Sequence, residues 1–212
     1  MSSKGATVSS AAVSQHPDLA SLVVPSTGTY LQKYTREGGR TLEVGCGPGQ
    51  YRMAVNGAYV GVDVTAEAYN EEIPRAVDVL ADGNSLPFAD DAFDLVFFSN
   101  VFYSLTNAPR VLNETIRVTK SGGLMTVFDY SKRALEDLKR RTPDEEFRSA
   151  THVRSVAEWK SLLQQSGLRQ ISVAFNTSDV RAKLAEALLP RGTYGTLVDR
   201  VISRIVVEAR VL

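Results

Sequence analysis

A glycine-rich turn that follows a short apolar strand constrains this sequence more than any other feature. Residues 41–44 predict the strand, and Gly45, Gly47 and Gly49 follow it at alternate positions. Glycine accepts backbone dihedrals that other residues avoid, and it lets the backbone approach a ligand closely. By itself the pattern is equally typical of a simple tight turn, so its meaning depends on what surrounds it.

The spacing of these glycines argues against two common phosphate-binding loops. A dinucleotide-binding turn reads G-x-G-x-x-G, but Gln50 or Arg52 stands where its last glycine would fall, depending on where the count starts. A Walker-type loop ends in Gly-Lys-Ser/Thr, and no such triplet follows here. Nicotinamide-dependent hydride transfer and a Walker-type phosphate site are therefore disfavoured.

Predicted strands alternate with helix-length connections along the rest of the chain. The strands are residues 41–44, 59–64, 76–81, 93–98, 124–129, 168–175 and 204–211. Predicted helices begin near Pro25, run from the Asn107 cap to Gly122-Gly123, and span residues 156–166 and 179–189; residues 50–58 have room for about two helical turns. This alternation predicts an α/β fold with a parallel sheet and with ligands at the carboxyl ends of the strands. Because the last strand directly follows the sixth at the chain end, we expect it to be antiparallel.

Composition narrows the class of protein. The 24 Lys+Arg and 24 Asp+Glu residues give a formal net charge of zero, which argues against a nucleic-acid partner. No apolar run approaches the roughly 20 residues that cross a bilayer, so a cytoplasmic protein with no membrane span is expected. Cys46 is the sole cysteine and His16 and His152 are the two histidines, which argues against a disulfide framework or a metal centre. The length of 212 residues suits one domain, predicted at residues 25–212 behind a mobile tail of residues 1–24.

Two carboxylates follow the second and third predicted strands. Asp63 ends the strand that comes after the glycine loop, where it could accept hydrogen bonds from both hydroxyls of a ribose. Asp82 ends the next segment and could accept a hydrogen bond from the exocyclic amine of a base. Three successive strand ends would then supply a loop, a ribose contact and a base contact.

The sequence at this point resembles the class I S-adenosylmethionine-dependent methyltransferases, particularly the small-molecule group that includes the ubiquinone/menaquinone-type enzymes. The resemblance lies in four segments in family order: Leu-Glu-Val-Gly-Cys-Gly-Pro-Gly (42–49), Gly-Val-Asp (61–63), Ala-Asp-Gly-Asn-Ser-Leu-Pro-Phe-Ala-Asp-Asp-Ala-Phe-Asp-Leu-Val (81–96) and Arg-Val-Thr-Lys-Ser-Gly-Gly (117–123). Each segment alone is weak evidence for the family, but the combination of the four is specific. It implies a Rossmann-like, seven-stranded, mostly parallel sheet with an antiparallel last strand and helices on both faces. It also implies S-adenosyl-L-methionine as cofactor and transfer of its methyl group to a small-molecule acceptor.

The resemblance also implies roles for residues at the matching positions. Glu43 and the loop of Gly45, Cys46, Gly47 and Gly49 would hold the methionine portion of the cofactor. The ribose would lie on Asp63, the adenine on Asp82 and the Gly83 amide, and the methyl-donor end on Ser99 and Asn100. Tyr30 and Tyr34 fall where family members often have a helix that closes over the cofactor, although packing against the sheet explains them equally well.

Methyl transfer from a sulfonium is an in-line displacement that needs alignment and exclusion of water, so no universal catalytic residue is expected. If the acceptor needs a base, His152 is the candidate in the body of the domain, and Tyr103 is an equally good candidate to touch the substrate. No metal is expected, because Ser99-Asn100 replaces the acids that a magnesium-dependent site would place after the fourth strand.

Residues 131–154 and 176–203 are the parts that the predicted sheet explains least, and we expect them to cover the substrate pocket. The first contains a basic stretch, Lys132, Arg133, Lys139, Arg140 and Arg141, which would attract an acidic substrate if it bordered the pocket. Two other functions stay open: a catalytically inactive methyltransferase-like protein that binds the cofactor or regulates a partner, and an RNA or protein methyltransferase. The sequence leaves the oligomeric state open.

Overall fold

The computed structural model describes residues 27–66, 77–130, 132–175 and 204–211 of the chain. Within these residues, seven strands form one sheet in the order β3-β2-β1-β4-β5-β7-β6. The strands are β1 (Arg40–Val44), β2 (Ala58–Asp63), β3 (Val79–Leu80), β4 (Phe93–Ser99), β5 (Thr119–Tyr130), β6 (Arg169–Phe175) and β7 (Arg204–Arg210). The described helices are α1 (residues 27–34), α2 (Ala108–Val118), α3 (Lys132–Arg141), α4 (Glu145–Ala150) and α5 (Val156–Gln165).

The sheet is parallel from β3 to β5 and antiparallel at its far end. β7 lies between β5 and β6 and runs antiparallel to both. The predicted fold class, with a mostly parallel sheet and an antiparallel last strand, is therefore confirmed. The order of the strands reverses between β1 and β4, and in such sheets ligands bind at the carboxyl ends of the strands beside the reversal.

Strand β4 is buried on both faces, as its nearly continuous apolar sequence predicts. Val96 and Phe98 point into the larger core, which α2 and α5 cover with side chains such as Leu112 and Trp159. The alternate residues Leu95 and Phe97 point into a second core on the opposite face, together with Leu31 of α1 and Tyr51. Side chains of a strand alternate between the two faces, so β4 connects both layers of the domain.

Two helices begin at side-chain caps, of which the sequence predicts the Asn107 cap. The side chain of Asn107 accepts a hydrogen bond from the Arg110 N–H, and Pro109 lies in the first turn of α2. Ser155 and Glu158 form a reciprocal capping box at the start of α5. These local contacts fix where the chain enters each helix and therefore how the helix crosses the sheet.

The largest departures from the predicted boundaries occur in three places. Residues 50–58, which have room for about two helical turns, hold a single 3-10 turn, Arg52–Ala54, before β2 begins at Ala58. Helix α2 ends at Val118, well before Gly122-Gly123, because Thr119 already pairs with β4 and the two glycines lie inside β5. The third strand is also shorter than predicted, with two residues.

Several predictions fall outside the described residues. They are the tail of residues 1–24, the helix at 179–189 and the second cover segment at 176–203. Among the residues that are described, no helix combines the length and the apolar character that crossing a bilayer requires.

Candidate functional site

The glycine loop is anchored on the neighbouring strand β2. The N–H groups of Gly45 and Cys46 both donate hydrogen bonds to the carbonyl of Val62, at 2.8 and 3.0 Å. One residue further, the Gly47 N–H donates to Oδ2 of Asp63 at 2.9 Å. The Asp63 side chain is 7% exposed, and the structure thus brings this predicted carboxylate directly over the loop.

Gly45 and Gly47 of the loop both have a positive φ but differ in what surrounds them. Gly45 has φ of +74°, and a Cβ at this position would lie 2.6 to 2.9 Å from the side chain of Val101. Such an approach is shorter than real Cβ contacts allow, so only glycine fits between the loop and the segment after β4. Gly47 has φ of +50°, but a Cβ there would have no heavy atom within 4 Å. The loop is therefore tightly packed at its base and open at Gly47.

Glu43 is buried in the sheet beneath this loop, with 1% of its surface exposed. It pairs in register with Gly61 on one side and with Phe97 on the other, so no side chain of β2 stands directly opposite it. The hydroxyl of Tyr59 donates a hydrogen bond to Glu43 Oε2. Burial raises the pKa of Glu43 from 4.5 to about 8, and the nearby Asp63 adds to the rise, while the Tyr59 hydrogen bond opposes it.

A second layer of contacts holds Tyr59 in place. The Arg52 guanidinium lies over the Tyr59 ring, 4.4 Å from its centroid. Arg52 also forms an ion pair of 2.7 Å with Asp78, whose carboxylate accepts the Gly61 N–H at 2.8 Å. The buried carboxylate of Glu43 thus stands at the centre of a network that extends from β1 to the start of β3.

Cys46 contributes its backbone to the loop, and its side chain is buried. Burial raises the pKa of its thiol, and the neighbouring carboxylates of Glu43 and Asp63 raise it further. The thiol therefore stays protonated at neutral pH, and it is not a nucleophile.

Asp82 and Gly83 lie after β3, at the third strand end of the series. The Asp82 side chain is exposed, and its Oδ1 accepts the Asn84 N–H at 2.8 Å, which closes a local turn. Gly83 is buried, and a Cβ added to it would lie 3.2 Å from Val44 Cγ1. The turn thus packs against the end of β1, with the carboxylate of Asp82 facing outward.

Ser99 and Asn100 lie at the end of β4, beside the loop. The Ser99 hydroxyl donates to the Tyr51 hydroxyl at 3.1 Å, and both residues are buried. Asn100 has φ of +57°, a conformation that Asn tolerates better than most residues. Its Oδ1 is buried and has no hydrogen-bond partner within the described residues. This oxygen can therefore accept a hydrogen bond from a group that does not belong to the described residues.

Tyr30 and Tyr34 lie on α1, on the same face of the sheet as Glu43. Tyr30 packs edge-on against Phe128, and its hydroxyl is 3.2 Å from Thr126 Oγ1. Tyr34 stacks on Tyr30 with ring centroids 4.3 Å apart and is 41% exposed. Tyr30 therefore packs on β5, while Tyr34 presents its ring at the surface.

The two candidate catalytic residues, Tyr103 and His152, are neighbours. The backbone N–H of His152 donates a hydrogen bond to the backbone carbonyl of Tyr103 at 2.7 Å. The Tyr103 side chain is 3% exposed and packs against Tyr130 and Phe147, whereas His152 is exposed. Partial burial of its ring nevertheless lowers the pKa of His152, and the positive charge of Arg154 lowers it further, which favours the neutral imidazole.

Helices α3 and α4 form the described part of the predicted cover. They pack through Leu135 and Phe147 against Tyr103 and Tyr130, at the ends of β4 and β5. From the basic stretch of α3, Lys139 reaches the Thr151 carbonyl at 3.2 Å. In the described part of the chain, no group of three His, Cys, Asp or Glu side chains is arranged to hold a metal ion.

Sequence reasoning missed Tyr51, Arg52 and Tyr59. Tyr59 could have been found, because side chains alternate along β2 and residues 59, 61 and 63 therefore share a face with Asp63. Tyr51 and Arg52 carried no such signal. Their contacts with Ser99 and Asp78 depend on how the loop folds back over the sheet.

Comparisons with known proteins bear on this arrangement. A family profile described as a methyltransferase domain matches residues 42–127, which contain the glycine loop and the strands from β1 into β5. This part of the chain therefore matches a methyltransferase domain, as the motifs of the class I S-adenosylmethionine-dependent methyltransferases predict. The resemblance that the sequence motifs indicate is thus confirmed.

Curated relatives match a similar fraction of this chain. A methyltransferase of Mycobacterium tuberculosis is 37% identical over 98 residues, which cover 42% of this chain and 39% of the relative. One from Mycobacterium sp. strain KMS is 40% identical over 97 residues, with 42% and 38% covered. A protein of Methanocaldococcus jannaschii is 33% identical over 90 residues, with 42% and 43% covered. The matches therefore span about two fifths of each relative's length.

Solved structures share the methyltransferase fold over almost the whole chain. A methyltransferase from Haloferax volcanii, solved in complex with the methyltransferase activator Trm112, has a TM-score of 0.71 at 19% identity and covers 95% of this chain and 94% of its own. A SAM-dependent methyltransferase from Thermotoga maritima has a TM-score of 0.68 at 18% identity, with 95% of both chains covered. At these identities the likeness is one of fold.

Proposed function

We propose that this chain is an S-adenosylmethionine-dependent methyltransferase that acts on a small-molecule acceptor. The observation that carries the proposal is the pair of buried acidic side chains, Glu43 and Asp63, on either side of a glycine loop that is open at Gly47. Buried carboxylates are costly unless a partner compensates them, and a cationic, ribose-bearing cofactor supplies both a charge and hydroxyl donors.

The residues present fit this cofactor. The missing Cβ of Gly47 leaves free space above the loop, where a ligand can contact the backbone. Asp63 would accept ribose hydroxyls in place of the Gly47 N–H, and Asp82 and Gly83 would border the adenine. Glu43 would face the methionine portion. When bound, the cofactor supplies a methyl group that its sulfonium already activates for displacement.

The residues that would orient the acceptor follow β4. The buried Oδ1 of Asn100 would accept a hydrogen bond from an N–H or O–H group of the acceptor. Val101 contacts the loop through Gly45, so the acceptor side and the cofactor side are packed directly together. The cover formed by α3 and α4 would exclude water, and neutral His152 would take a proton if the acceptor releases one.

Calorimetric titration with S-adenosylmethionine and with its demethylated product, S-adenosylhomocysteine, tests the cofactor assignment. We expect micromolar binding of at least one ligand, and a loss of tenfold or more in the Asp63→Ala variant. Asp90→Ala is the matched control, because Asp90 is an exposed carboxylate that pairs with Arg117. Absence of binding by the wild-type protein would refute the proposal.

Transfer of a labelled methyl group separates the acceptor classes. We expect the label in the small-molecule fraction of a cell extract. Label in RNA or in protein instead would favour an RNA or protein methyltransferase. Cofactor binding without any transfer would favour the inactive, regulatory alternative. Because the Haloferax relative was solved with Trm112, the transfer assay should also be run with an activator of that kind.

A further inference from the structure

The contact between Tyr59 and Glu43 goes beyond what cofactor binding alone requires. Glu43 is 1% exposed, and the Tyr59 hydroxyl donates to its Oε2 from the neighbouring strand. In the register of the sheet, Glu43 is opposite Gly61, so Tyr59 approaches it diagonally across the position that lacks a side chain. A phenol in this position stabilises the ionised form of the carboxylate.

The phenol has little freedom to leave that position. Its ring lies under the Arg52 guanidinium, and Arg52 is tied to Asp78. Asp78 in turn accepts the Gly61 N–H, so the chain of contacts returns to the strand on which Tyr59 lies. This closed network fixes the distance between the phenol and the carboxylate.

Within the described residues, four titratable or charged groups face Glu43. Tyr59 and Asp63 approach from β2, Arg52 from the turn after the loop, and Cys46 from the loop itself. Burial and Asp63 favour the protonated carboxyl, and Tyr59 and Arg52 favour the carboxylate. The balance raises the pKa of Glu43 to about 8, so at neutral pH the ligand-free site holds a proton that an incoming cation would displace.

We propose that Tyr59 is a positioning residue that controls the charge of Glu43 and thereby the preference of the site for the cationic methyl donor over its neutral demethylated product. The inference rests on the proposed function, because the two ligands differ in charge only at sulfur. Binding of the donor releases the Glu43 proton to solvent, and binding of the product releases less. The preference for the donor therefore rises with pH.

The test is the ratio of the two dissociation constants between pH 6 and 9. Both ligands carry an amino group, and the sulfonium lowers the pKa of the donor's amino group. Each dissociation constant is therefore first corrected for the amino titration measured on the free ligand. In the wild-type protein we expect the preference for the donor to rise by up to about tenfold per pH unit until the pH reaches the pKa of Glu43. In Tyr59→Phe, which keeps the ring, the rise should move to higher pH because the carboxylate loses a donor. In Glu43→Gln the ratio should be independent of pH.

A ratio that is flat in the wild-type protein, or that has the same pH profile in Tyr59→Phe, would overturn the inference. A carbon-13 NMR titration of the Glu43 carboxyl in ligand-free protein gives an independent readout, in which Tyr59→Phe must raise the midpoint. If Tyr59→Phe does not fold, Arg52→Gln must raise the same midpoint, because it removes the cation that faces Glu43.

The two proposals fail in different ways. If neither ligand binds, the proposed function is wrong, and the NMR titration alone decides whether Tyr59 controls the charge of Glu43. If both ligands bind with a pH-independent ratio, the proposed function stands and the role of Tyr59 is refuted.

Discussion

Replacing Glu43 with glutamine should make the stability of the protein less dependent on pH. The side chain is fully buried in the folded protein, and its pKa rises there from 4.5 to about 8. Below pH 4.5 the carboxyl is protonated in both states and costs nothing. Between the two values the unfolded chain releases the proton while the folded chain keeps it, so the free energy of unfolding falls as the pH rises. Above about 8 the fall is complete.

The size of this effect follows from the two pKa values. At about 1.36 kcal/mol per pKa unit, the whole difference corresponds to roughly 5 kcal/mol, of which about 3 kcal/mol falls between about pH 5.5 and 8.5. Glutamine is nearly the same size and can still accept the hydrogen bond from Tyr59, but it carries no proton to lose. Relative to the Glu43→Gln variant, the wild-type protein should therefore lose about 3 kcal/mol over this range.

Urea unfolding of the ligand-free proteins at several pH values measures the difference. Glu114→Gln is a suitable control, because Arg117 holds the pKa of Glu114 below its usual value of 4.5. Its contribution is lost only as the pH falls below that value, so the control difference should stay flat from about pH 5.5 to 8.5. If the difference between wild type and Glu43→Gln is equally flat, Glu43 is ionised in the folded protein and the reasoning is wrong.

Three other variants test single contacts, one in the glycine loop and two elsewhere in the fold. In thermal melts, Gly45→Ala should destabilise the protein by about 3 kcal/mol or more, because it adds the clash with Val101 to the strain of a positive φ. Gly167→Ala is the control, since Gly167 has a positive φ but open space around it, and this variant should lose about 1 to 2 kcal/mol. Arg117→Ala should lower the free energy of unfolding in urea by about 2 kcal/mol, because the side chain donates hydrogen bonds to two backbone carbonyls and two carboxylates. Cofactor affinity should not change, and Arg117→Lys should not restore the lost stability. Asn107→Ala should cost about 1 kcal/mol through loss of the helix cap, and an unchanged melting temperature would contradict that assignment.

Much of the fold could be predicted because it depends on local pattern. The apolar run of β4, the Asn107 cap and the glycine loop each follow from a few consecutive residues. The boundaries that differed were those where pairing overrode a local signal. Gly122-Gly123 looks like a helix stop, but it lies in β5 because Thr119 already pairs with β4.

The sequence by itself determined which residues stand at the ends of the strands. In a parallel sheet those ends meet at one edge, so the order of the motifs along the chain is enough to assign Glu43, the glycine loop, Asp63 and Asp82 to one site. The predicted roles of these residues stay predictions until binding is measured.

Only the tertiary structure decided what surrounds them. The hydrogen bond from Tyr59 to Glu43 depends on the register of β1 against β2, and the fit of Gly45 against Val101 joins residues far apart in the chain. Burial sets the charge of Glu43, and burial is a property of packing rather than of sequence pattern. Strand alternation and turn propensity act over a few residues, whereas register, burial and charge depend on which distant segments come together.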